Sequence, residues 1–558
     1  MNALRRAARS FRLGPRSFLA GLRRPGLAPE DLEDAARFAA FVGASPAPAG
    51  GGHLVLLSYL AMPYTMKMEA LLGRALQDKG WRVSVVASES SEPLARAYLG
   101  RTLGAKIHRL EDYVDFGRPP DLRTRVSDAL EVARRDLAQF KLITYRNAPV
   151  ALHCVATLSA ARPEGVVGTD AGSLRLLGRY LRRSLLMQEA ARALFDELKP
   201  TLALGVEKGF VGVCETFYAA LERGTDYVQW VGCHEPESIM LKRYRPETFR
   251  EHPFSISDAN WERLRAETWR EEYRDTVMAE FERGYRSGDW FRYKGLSAQK
   301  SFADRAELQQ RLGLDPAKRT AIIYSHILND ANLFYGADLF SGGYEQWLVE
   351  TVRAASRNPA VNWVLKVHPA NVQRNARVGY SGEYGELLAL QRAFGRVPEF
   401  LRVVRPEESV SPLSFFALTD WGITVRGTVG LELPCLGVPV LTAGSGRYSG
   451  KGFTIDPATP EAYLDAVAGI HHIPPLSEEQ VRLGVRYAYH VFRSRPARYG
   501  AMLKDVYDKP VQHPRHRDLA FRLPSIGEVL AHPQMCTIVH FLTSPGEDDF
   551  LDPGSAGG

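Results

Sequence analysis

The most constraining feature of the chain is an alternation of short apolar runs with amphipathic segments, which occurs once in each half. Short apolar runs predict buried strands, and apolar residues repeating every three to four positions predict helices. In the first half, strands are predicted at 53–58, 82–87, 201–206 and 226–231, with helices at 65–79, 188–198 and 210–223. In the second half, strands are predicted at 320–324, 361–367, 401–404, 421–425 and 439–442, with helices at 343–358, 383–395 and 428–436. This alternation predicts an α/β fold with two Rossmann-like domains.

The same pattern gives the expected domain boundaries. Residues 1–50 form a basic amphipathic arm and linker, 51–240 the first Rossmann-like domain, 241–315 a helical linker region without strand signal, and 316–470 the second Rossmann-like domain. Residues 471–540 are expected to be C-terminal helices, because Ser477 and Gln480 have the spacing of a capping box before an amphipathic segment. The acidic, glycine-rich segment 541–558 is expected to be a disordered tail.

The positive charge of the chain is concentrated at its start. Residues 1–24 contain seven arginines and no acid, whereas the whole chain has 71 basic and 64 acidic residues. The remainder is therefore neutral overall, which argues against a nucleic-acid-binding face. Arg5, Arg9, Arg12 and Arg16 recur at helical spacing beside apolar residues, so the arm is predicted to bind an anionic inner-membrane surface. A solvated tail and an organellar targeting peptide are the alternatives.

Composition excludes several other classes of protein. No apolar run reaches the roughly 18–20 residues of a membrane-spanning helix, and the most apolar region, 423–443, contains two charged residues. Neither a Walker sequence nor metal-ligand spacing is present, so no metal or other cofactor is expected. The cysteines are few and scattered, and are predicted to be reduced, buried thiols in a cytoplasmic chain. They are Cys154, Cys214, Cys233, Cys435 and Cys536.

The sequence Lys-Val-His-Pro at 366–369 is the first candidate binding motif. Lys366 and His368 lie two apart on a predicted strand, so their side chains share a face, and Pro369 ends the strand. A histidine beside a phosphate is stabilised in its protonated form and supplies a charge together with a donor. The motif therefore predicts a contact with a nucleotide's phosphate. A histidine that only ties down a turn is the alternative.

The segment 424–432 is the second candidate motif, because a predicted strand there runs through a glycine turn into a helix. The amides of Gly427 and Thr428 at the helix start favour an anion, and Arg426 adds positive charge. Glu432, one turn further, is placed to accept hydrogen bonds from ribose hydroxyls or a base. Together with the Lys-Val-His-Pro strand, the segment predicts a joint nucleotide site. Glycines that only permit tight packing, with a solvated Glu432, are the alternative.

A donor-rich loop, 444–451, follows the last predicted strand of this half. Its residues Ser445, Arg447 and Lys451 are expected to close over a donor sugar or its phosphates. An ordinary surface loop of the same composition is the alternative.

Three segments carry a resemblance to a known family. They are 324–347, the Lys-Val-His-Pro motif, and the run from Val-Gly-Leu-Glu at 429–432 through Gly-Val-Pro-Val to Tyr-Ser-Gly-Lys-Gly-Phe at 448–453. These segments resemble bacterial capsule polysaccharide biosynthesis proteins, which include transferases of the acidic sugar Kdo and relatives of bacterial sialyl- and polysialyltransferases. The resemblance covers about residues 318–470. It implies a GT-B fold, with two Rossmann-like domains facing a cleft and a metal-independent sugar-nucleotide site in the second.

The resemblance also implies roles for individual residues. His368 would contact the donor phosphate, Thr428 would occupy the hydroxyl position of a Ser/Thr motif, and Glu432 would be the acidic residue on the nucleotide. The chain departs from the family pattern at Gly427, where a second hydroxyl is common, and at Pro434, where alanine is usual.

Sugar transfer also requires a base for the acceptor hydroxyl, and the first domain is expected to supply it. Glu207 follows the strand predicted at 201–206 and is the first candidate, with His234 and Glu235 after the next strand as alternatives. For each of them a structural or acceptor-orienting role is the competing interpretation. Asn329 and Asp330 follow the first strand of the second domain with His326, and Asp330 is a candidate for hydroxyl binding or helix capping.

These features together predict a cytoplasmic glycosyltransferase of surface polysaccharide biosynthesis, peripheral on the inner membrane. It would transfer a sugar from a nucleotide-sugar donor to a glycan or lipid-linked acceptor. A CMP-linked acidic sugar is the first donor expected from the resemblance, and a UDP-hexose the second. The alternatives are an enzyme similar to the UDP-sugar 2-epimerases, and a non-catalytic assembly protein that keeps the nucleotide-binding shape.

Overall fold

A computed structural model describes residues 27–114, 119, 121–162, 164–287, 300–328, 332–509, 513 and 515–556. The predicted membrane-binding arm, residues 1–24, lies outside them, as do Asn329 and Asp330.

The strands form two parallel-type sheets and a hairpin. In chain order they are β1 (His53–Ser58), β2 (Arg82–Ala87), β3 (Lys106–Arg109), β4 (Leu202–Gly205), β5 (Asp226–Gly232), β6 (Ser238–Tyr244), β7 (Thr320–Tyr324), β8 (Asn362–Lys366), β9 (Leu401–Val404), β10 (Trp421–Thr424), β11 (Val440–Thr442), β12 (Pro496–Arg498), β13 (Leu503–Val506) and β14 (Asp518–Phe521). The first sheet has the order β12-β6-β5-β4-β1-β2-β3, in which β6 and β12 are antiparallel to their neighbours. The second, β11-β10-β7-β8-β9, is parallel throughout. β13 pairs with β14.

Helices cover the sheets and connect them. In chain order they are α1 (Pro29–Val42), α2 (Pro63–Asp78), α3 (Glu92–Ala95), α4 (Arg101–Leu103), α5 (Leu122–Arg135), α6 (Leu137–Lys141), α7 (Val150–Ala160), α8 (Ala171–Leu198), α9 (Cys214–Glu222), α10 (Asp258–Arg265), α11 (Glu272–Ser287), α12 (Arg305–Leu312), α13 (Gly343–Ala355), α14 (Asn371–Val378), α15 (Gly385–Phe394), α16 (Pro412–Leu418), α17 (Val429–Glu432), α18 (Pro460–Ala468), α19 (Glu478–Tyr489), α20 (Ile526–Ala531) and α21 (Pro533–Thr543). Two π-helical turns, Arg96–Gly100 and His490–Ser494, and several short 3₁₀ turns complete the described chain.

The first sheet is buried on both faces, which explains why β1 is apolar almost throughout. Leu54 and Leu56 point into the core beneath α1 and α2, whereas Val55 and Leu57 point into the core beneath α5, α7, α8 and α9. Successive side chains of a strand alternate between faces, so a strand covered by helices on both sides must be apolar at every position.

The predicted α/β fold class with two Rossmann-like domains is confirmed. Most predicted strands lie within one residue of the observed ones, and each sheet places the first strand of its half at the centre, in the orders β3-β2-β1-β4-β5 and β9-β8-β7-β10-β11. The carboxyl edges of the two sheets meet: Phe334, beyond β7, packs so closely on Gly209, beyond β4, that a Cβ atom there would lie 1.7 Å from its ring. The sheets therefore face each other as the GT-B-like interpretation requires.

The chain crosses between the domains twice. After β6 it passes through α10 and α11, whose Trp261 and Phe281 pack in the core of the second domain. It returns through α19 and the π-helical turn His490–Ser494 into β12, which pairs with β6 of the first sheet. The capping box predicted at the start of α19 is confirmed, with Ser477 and Gln480 each bonding the other's backbone.

Two predictions about the connecting regions are wrong. Residues 241–244 are predicted to lie outside any strand but belong to β6. The charges of Lys242 and Arg243 are typical of exposed residues, although both residues are fully buried. Lys242 reaches Asp549 at 2.7 Å, and Arg243 reaches Asp226 at 2.8 Å, so both cations are paired. Segment 471–540 is not only helical, because it contains β12, β13 and β14.

The C-terminal segment is packed rather than disordered, at least as far as the structure describes it. Asp549 is buried and accepts hydrogen bonds from the amide of Ser257 at 2.7 Å and from Asn260 Nδ2 at 3.0 Å. Burial alone would raise the pKa of the Asp549 carboxyl, but Lys242 and Arg495 hold it below its ordinary value. A salt-bridged carboxylate at this junction fixes the last residues to β6 and to the start of α10, which composition does not reveal.

Two further sequence expectations can be compared with the described residues. Among them, no helix combines the length and the apolar character needed to cross a membrane. Cys154, Cys214, Cys233 and Cys435 are buried free thiols as predicted, but Cys536 is exposed on α21.

Candidate functional site

In each sheet there is one pair of neighbouring strands from which the chain continues in opposite directions. Ligands of open α/β sheets bind at such switch points. In the first sheet this point lies between β1 and β4, and in the second between β7 and β10. Glu207 follows β4, and the turn 425–428 follows β10. The two predicted motifs nearest these positions are therefore at the expected edges of their sheets.

His326, which follows β7, organises the turn after β10. Its Nε2 atom accepts hydrogen bonds from the amides of Val425, at 3.2 Å, and Arg426, at 3.1 Å, and lies 3.1 Å from Thr424 Oγ1. The ring stacks on Tyr344 with centroids 4.6 Å apart. Burial lowers the pKa of His326 well below its ordinary value, and Arg426 lowers it further. The imidazole is therefore neutral and acts as an acceptor that shapes the turn.

His368 lies at the carboxyl end of β8, near the same turn. Its Nδ1 atom accepts a hydrogen bond from the amide of Ala370 at 3.2 Å, so the neutral ring carries its proton on Nε2. Burial lowers the pKa of His368 to about 3, and the nearby charges of Lys366, Arg374 and Arg447 act in the same direction. These protein surroundings favour the neutral form of the ring. The bond to Ala370 also matches the alternative of a histidine that ties down a turn.

A buried carboxyl that sequence reasoning missed supports this position. Ser325 Oγ accepts the amide hydrogen of His368 at 3.0 Å and lies 3.3 Å from Glu386, which also accepts from Asn371 at 2.8 Å. Burial raises the pKa of Glu386 to about 7. Glu386 lies in the first turn of α15, where a surface acid is common, so its sequence position gave no signal.

Lys366 is buried at the end of β8, with its ammonium 5.2 Å from the centre of the Phe415 ring. Burial lowers its pKa to about 8, and the charge of Lys300 contributes in the same direction. The residue is a cation held in an apolar surrounding near the site.

Arg426 and Ser445 form hydrogen bonds with the segment 335–338. Arg426 is buried and donates to the carbonyl of Tyr335 and to the carboxylate of Asp338. Ser445 Oγ accepts the amide hydrogen of Ala337 at 2.7 Å. These two predicted donor-binding residues are therefore engaged in holding one loop against another.

Arg447 and Thr428 are half-buried beside the turn. They line a small crevice together with Phe254, Leu431, Tyr487 and Val491. The guanidinium of Arg447 is 5.3 Å from the centre of the Phe254 ring, and its positive charge contributes to lowering the pKa of both His326 and His368. Thr428 and Arg447 thus share one crevice, and the charge of Arg447 acts on both histidines.

The structure places Glu432 and Lys451 differently from the predictions. Glu432 is fully buried and accepts a hydrogen bond from the Tyr285 hydroxyl of α11 at 2.9 Å, so it is neither on an open ribose site nor solvated. Lys451 pairs with Asp258 at the start of α10. The predicted helix at 428–436 is only the four-residue α17 followed by a 3₁₀ turn, because Pro434 lacks an amide hydrogen.

Gly427 lies where the turn is too crowded for a side chain. A Cβ atom there would lie 2.9 Å from Thr424 Oγ1, and the Gly427 carbonyl accepts a hydrogen bond from Tyr448 at 2.6 Å. Crowding accounts for glycine at the position where the resembling family commonly has a hydroxyl.

On the first sheet, Glu207 closes its own turn. Its Oε1 atom accepts hydrogen bonds from the amides of Lys208, at 2.7 Å, and Gly209, at 2.8 Å. Both Glu207 and Arg447 influence the pKa of Tyr335, which burial raises well above its ordinary value. The charges of Glu207 and Arg447 thus act on the pKa of Tyr335 in opposite directions.

Lys208, which sequence reasoning missed, is a buried cation surrounded by aromatic rings. Its ammonium lies 3.9 Å from the centre of the Tyr244 ring and 4.8 Å from those of Phe217 and Tyr335, and it donates to the carbonyl of Phe249. Burial lowers its pKa well below the ordinary value, against the charge of Glu207. A single lysine after a strand carries no pattern that would identify such a cage.

His234 and Glu235 are placed away from Glu207, at the crossing between domains. His234 packs on Phe492 of the π-helical turn with ring centroids 4.9 Å apart, and Glu235 pairs with Arg498 at 2.8 Å. Ligand atoms of His234, Glu235 and Glu280 lie within 4.8 Å of one another, close enough to hold a metal ion. Glu280, however, already pairs with Arg283 at 2.6 Å. Arginines that neutralise both carboxylates disfavour a dication there.

Comparison with known proteins gives likeness only at the level of solved structures. No family model and no curated protein matches the chain. The Thermosulfurimonas dismutans KpsC beta Kdo 2,4 transferase is 14% identical, with 59% of this chain and 87% of that chain covered at a TM-score of 0.35. The UDP-GlcNAc 2-epimerase of Neisseria meningitidis is 11% identical (79% and 96% covered, TM-score 0.26), and the spinosyn rhamnosyltransferase SpnG 15% identical (79% and 96%, TM-score 0.25). Likeness this low assigns no activity to the chain.

Proposed function

We propose that the protein is a metal-independent glycosyltransferase that moves a sugar from a nucleotide donor to a glycan or lipid-linked acceptor in surface polysaccharide biosynthesis. The observation that supports the proposal is that Arg447, which lines a crevice together with Thr428, also acts electrostatically on His368. A guanidinium and a neutral imidazole with its proton on Nε2 supply donors for a departing phosphate.

The first domain would serve the acceptor. In this proposal the acceptor hydroxyl binds near Tyr335, because the charges of both Glu207 and Arg447 act on that residue. In such a reaction the carboxylate removes the hydroxyl proton, the hydroxyl oxygen attacks the sugar's anomeric carbon, and the bond to the nucleotide phosphate breaks. The cationic groups stabilise the negative charge that develops on the leaving phosphate.

The proposed donor and location rest on the sequence. The resemblance of residues 318–470 favours a CMP-linked acidic sugar first and a UDP-hexose second. The seven arginines of residues 1–24 favour peripheral binding to the inner membrane from the cytoplasm.

Thermal unfolding in the presence of CMP, UDP, GDP and dTDP tests the proposal, because a ligand that binds only the folded state raises the melting temperature. One nucleotide should give a clear rise. Arg447→Ala and His368→Ala should each abolish that rise, whereas the exposed Arg357→Ala should preserve it. A protein that responds to none of the four nucleotides, or responds equally with Arg447 and His368 replaced, contradicts the site. Release of free sugar without any acceptor would indicate the epimerase alternative.

A further inference from the structure

The first half of α8 carries a row of arginines, here called the arginine stripe. Arg175, Arg179 and Arg182 are four and three residues apart, so their side chains leave one face of the helix. Arg175 and Arg179 are exposed and Arg182 is half-buried. Within the described part of the chain, none of the three has an ion pair or a side-chain hydrogen bond.

Many other surface arginines are paired with an acid, whereas the stripe places three arginines, unpaired among the described residues, side by side on one helix face. Arg134 pairs with Glu131 on α5, and Arg223 pairs with Asp196 near the end of α8. Residues 171–188 contain no acid at all. The opposite face of α8 is held in the core by leucines, so the stripe is not needed to anchor the helix. These are Leu177, Leu181 and Leu185.

The stripe begins where the two domains meet. Ser159, just before the loop that leads into α8, donates to the carbonyl of Leu328 in the second domain at 3.3 Å. In the same loop the carbonyl of Glu164 approaches Gly385 so closely that a Cβ atom there would lie 2.8 Å away. Arg183, adjacent to the stripe, lies 3.4 Å from the position of a Cβ atom on Gly212, five residues after Glu207. The half of α8 that carries the stripe thus lies near the segment that follows β4.

We propose that the arginine stripe binds an acceptor glycan that carries carboxylates, which rests on the proposed transferase function. Guanidinium groups pair with carboxylates through two parallel hydrogen bonds, and arginine is the residue suited to that geometry. Arg175 and Arg182 are seven residues apart, about 10 Å along the helix axis. A row of that length matches several acidic groups along one chain better than a single ion.

A bilayer fits the stripe less well than a glycan chain. None of the large apolar side chains that are exposed in the described part of the chain lies on α8. Helices that bind a membrane surface insert apolar side chains beside their basic face.

Binding of a fluorescent oligogalacturonate, a carboxylate-bearing glycan, to the full-length protein tests this surface. The triple variant Arg175→Ala, Arg179→Ala, Arg182→Ala should bind about tenfold more weakly at low salt, because each exposed pair contributes modestly. The matched control replaces Lys79, Arg101 and Arg357 with alanine. These residues are also exposed and without a partner in the described chain, so the change in charge is the same. The control should change affinity less than twofold, and added salt should reduce the difference.

Equal losses in the two triple variants would overturn the proposal, since net charge alone would then explain binding. So would equal binding of uncharged dextran. A stripe variant that loses binding to phosphatidylglycerol vesicles but keeps oligogalacturonate would make the surface a lipid contact instead. The nucleotide-induced rise in melting temperature should survive in both variants. Its absence from the wild-type protein would contradict the nucleotide site, whereas oligogalacturonate binding reports on the stripe alone.

Discussion

Two buried histidines each fix a turn at the carboxyl edge of a sheet, but with opposite hydrogen-bonding roles. In the first domain His153 donates through Nδ1 to the carbonyl of Gly209 at 2.8 Å. In the second domain His326 accepts through Nε2 from the amides of Val425 and Arg426. Burial is the main cause that keeps both rings neutral, since it lowers the pKa of His153 to about 4 and that of His326 well below its ordinary value.

The two turns differ in the charge that an external anion would meet. At the first turn the amides of Lys208 and Gly209 already bond a carboxylate of the chain itself, that of Glu207. At the second turn a neutral imidazole takes the amides, and Arg447 and His368 lie nearby. A phosphate would meet competing negative charge at the first turn and positive charge at the second.

The largest effect should come from removing the acceptor at the second turn. His326→Leu leaves two buried amides without their hydrogen-bond acceptor, and each unsatisfied amide costs about 1–3 kcal/mol of stability. Nucleotide affinity should fall by about 100-fold as the turn rearranges. His326→Gln keeps an acceptor at the end of the side chain and should bind within about tenfold of wild type. Isothermal titration with the nucleotide identified by thermal unfolding measures both.

The matched control for this prediction is His153→Leu in the first domain, which should lower stability while nucleotide affinity stays within a few-fold. Wild-type stability should also decline as pH falls below about 6.5, the ordinary histidine value. The unfolded chain there binds a proton that folded His326 excludes. His326→Leu should lack that part of the decline. Wild-type nucleotide affinity in His326→Leu would show that the turn does not depend on the imidazole.

A moderate loss of stability is expected from a substitution in the turn after β4, where Gly209 contacts the second domain. Gly209→Ala places a Cβ atom within 1.7 Å of the Phe334 ring, so ring or turn must move. Overpacking of this kind costs about 1–3 kcal/mol. Urea unfolding should show that loss, and Phe334→Ala in the same chain should relieve the clash, giving a favourable coupling in the double-mutant cycle. Gly100→Ala, with no neighbouring atom closer than 3.7 Å, is the control. Additive losses would show that the two positions do not constrain each other.

The sequence allows much of the sheet architecture to be predicted, because a strand buried on both faces is a continuous apolar run. β1 and β7 are of this kind, and both lie at the predicted residues. β6 escapes prediction because Lys242 is neutralised by Asp549, about 300 positions further along the chain. A charge that is paired only in the folded state looks like a surface charge in the sequence.

Topology predicts which edge of the sheet carries the site, but not the contacts of each residue. His368 follows β8 and Arg447 follows β11, so both are predicted at the carboxyl edge of the second sheet. Glu432 could not be assigned, because its burial depends on Tyr285 from a linking helix. Lys208 depends likewise on rings from β6, α9 and the second domain. Contacts between distant segments leave no local spacing to recognise.

The smallest effect is expected in the pH dependence of the free energy of unfolding, through Lys366 at the carboxyl edge of the second sheet. The pKa of Lys366 is lowered to about 8 by burial, from 10.5 in the unfolded chain. Between those values the unfolded chain binds a proton that the folded chain lacks, so stability rises with pH, by about 1 kcal/mol from pH 7 to pH 9. Lys366→Met should remove that rise, measured by urea unfolding at both pH values, while Lys79→Met, exposed and distant, should retain it. If the free energy of unfolding changed equally with pH in wild type and Lys366→Met, Lys366 would stay charged in the folded protein. The carboxyl edge of the second sheet would then hold a positive charge without any bound anion.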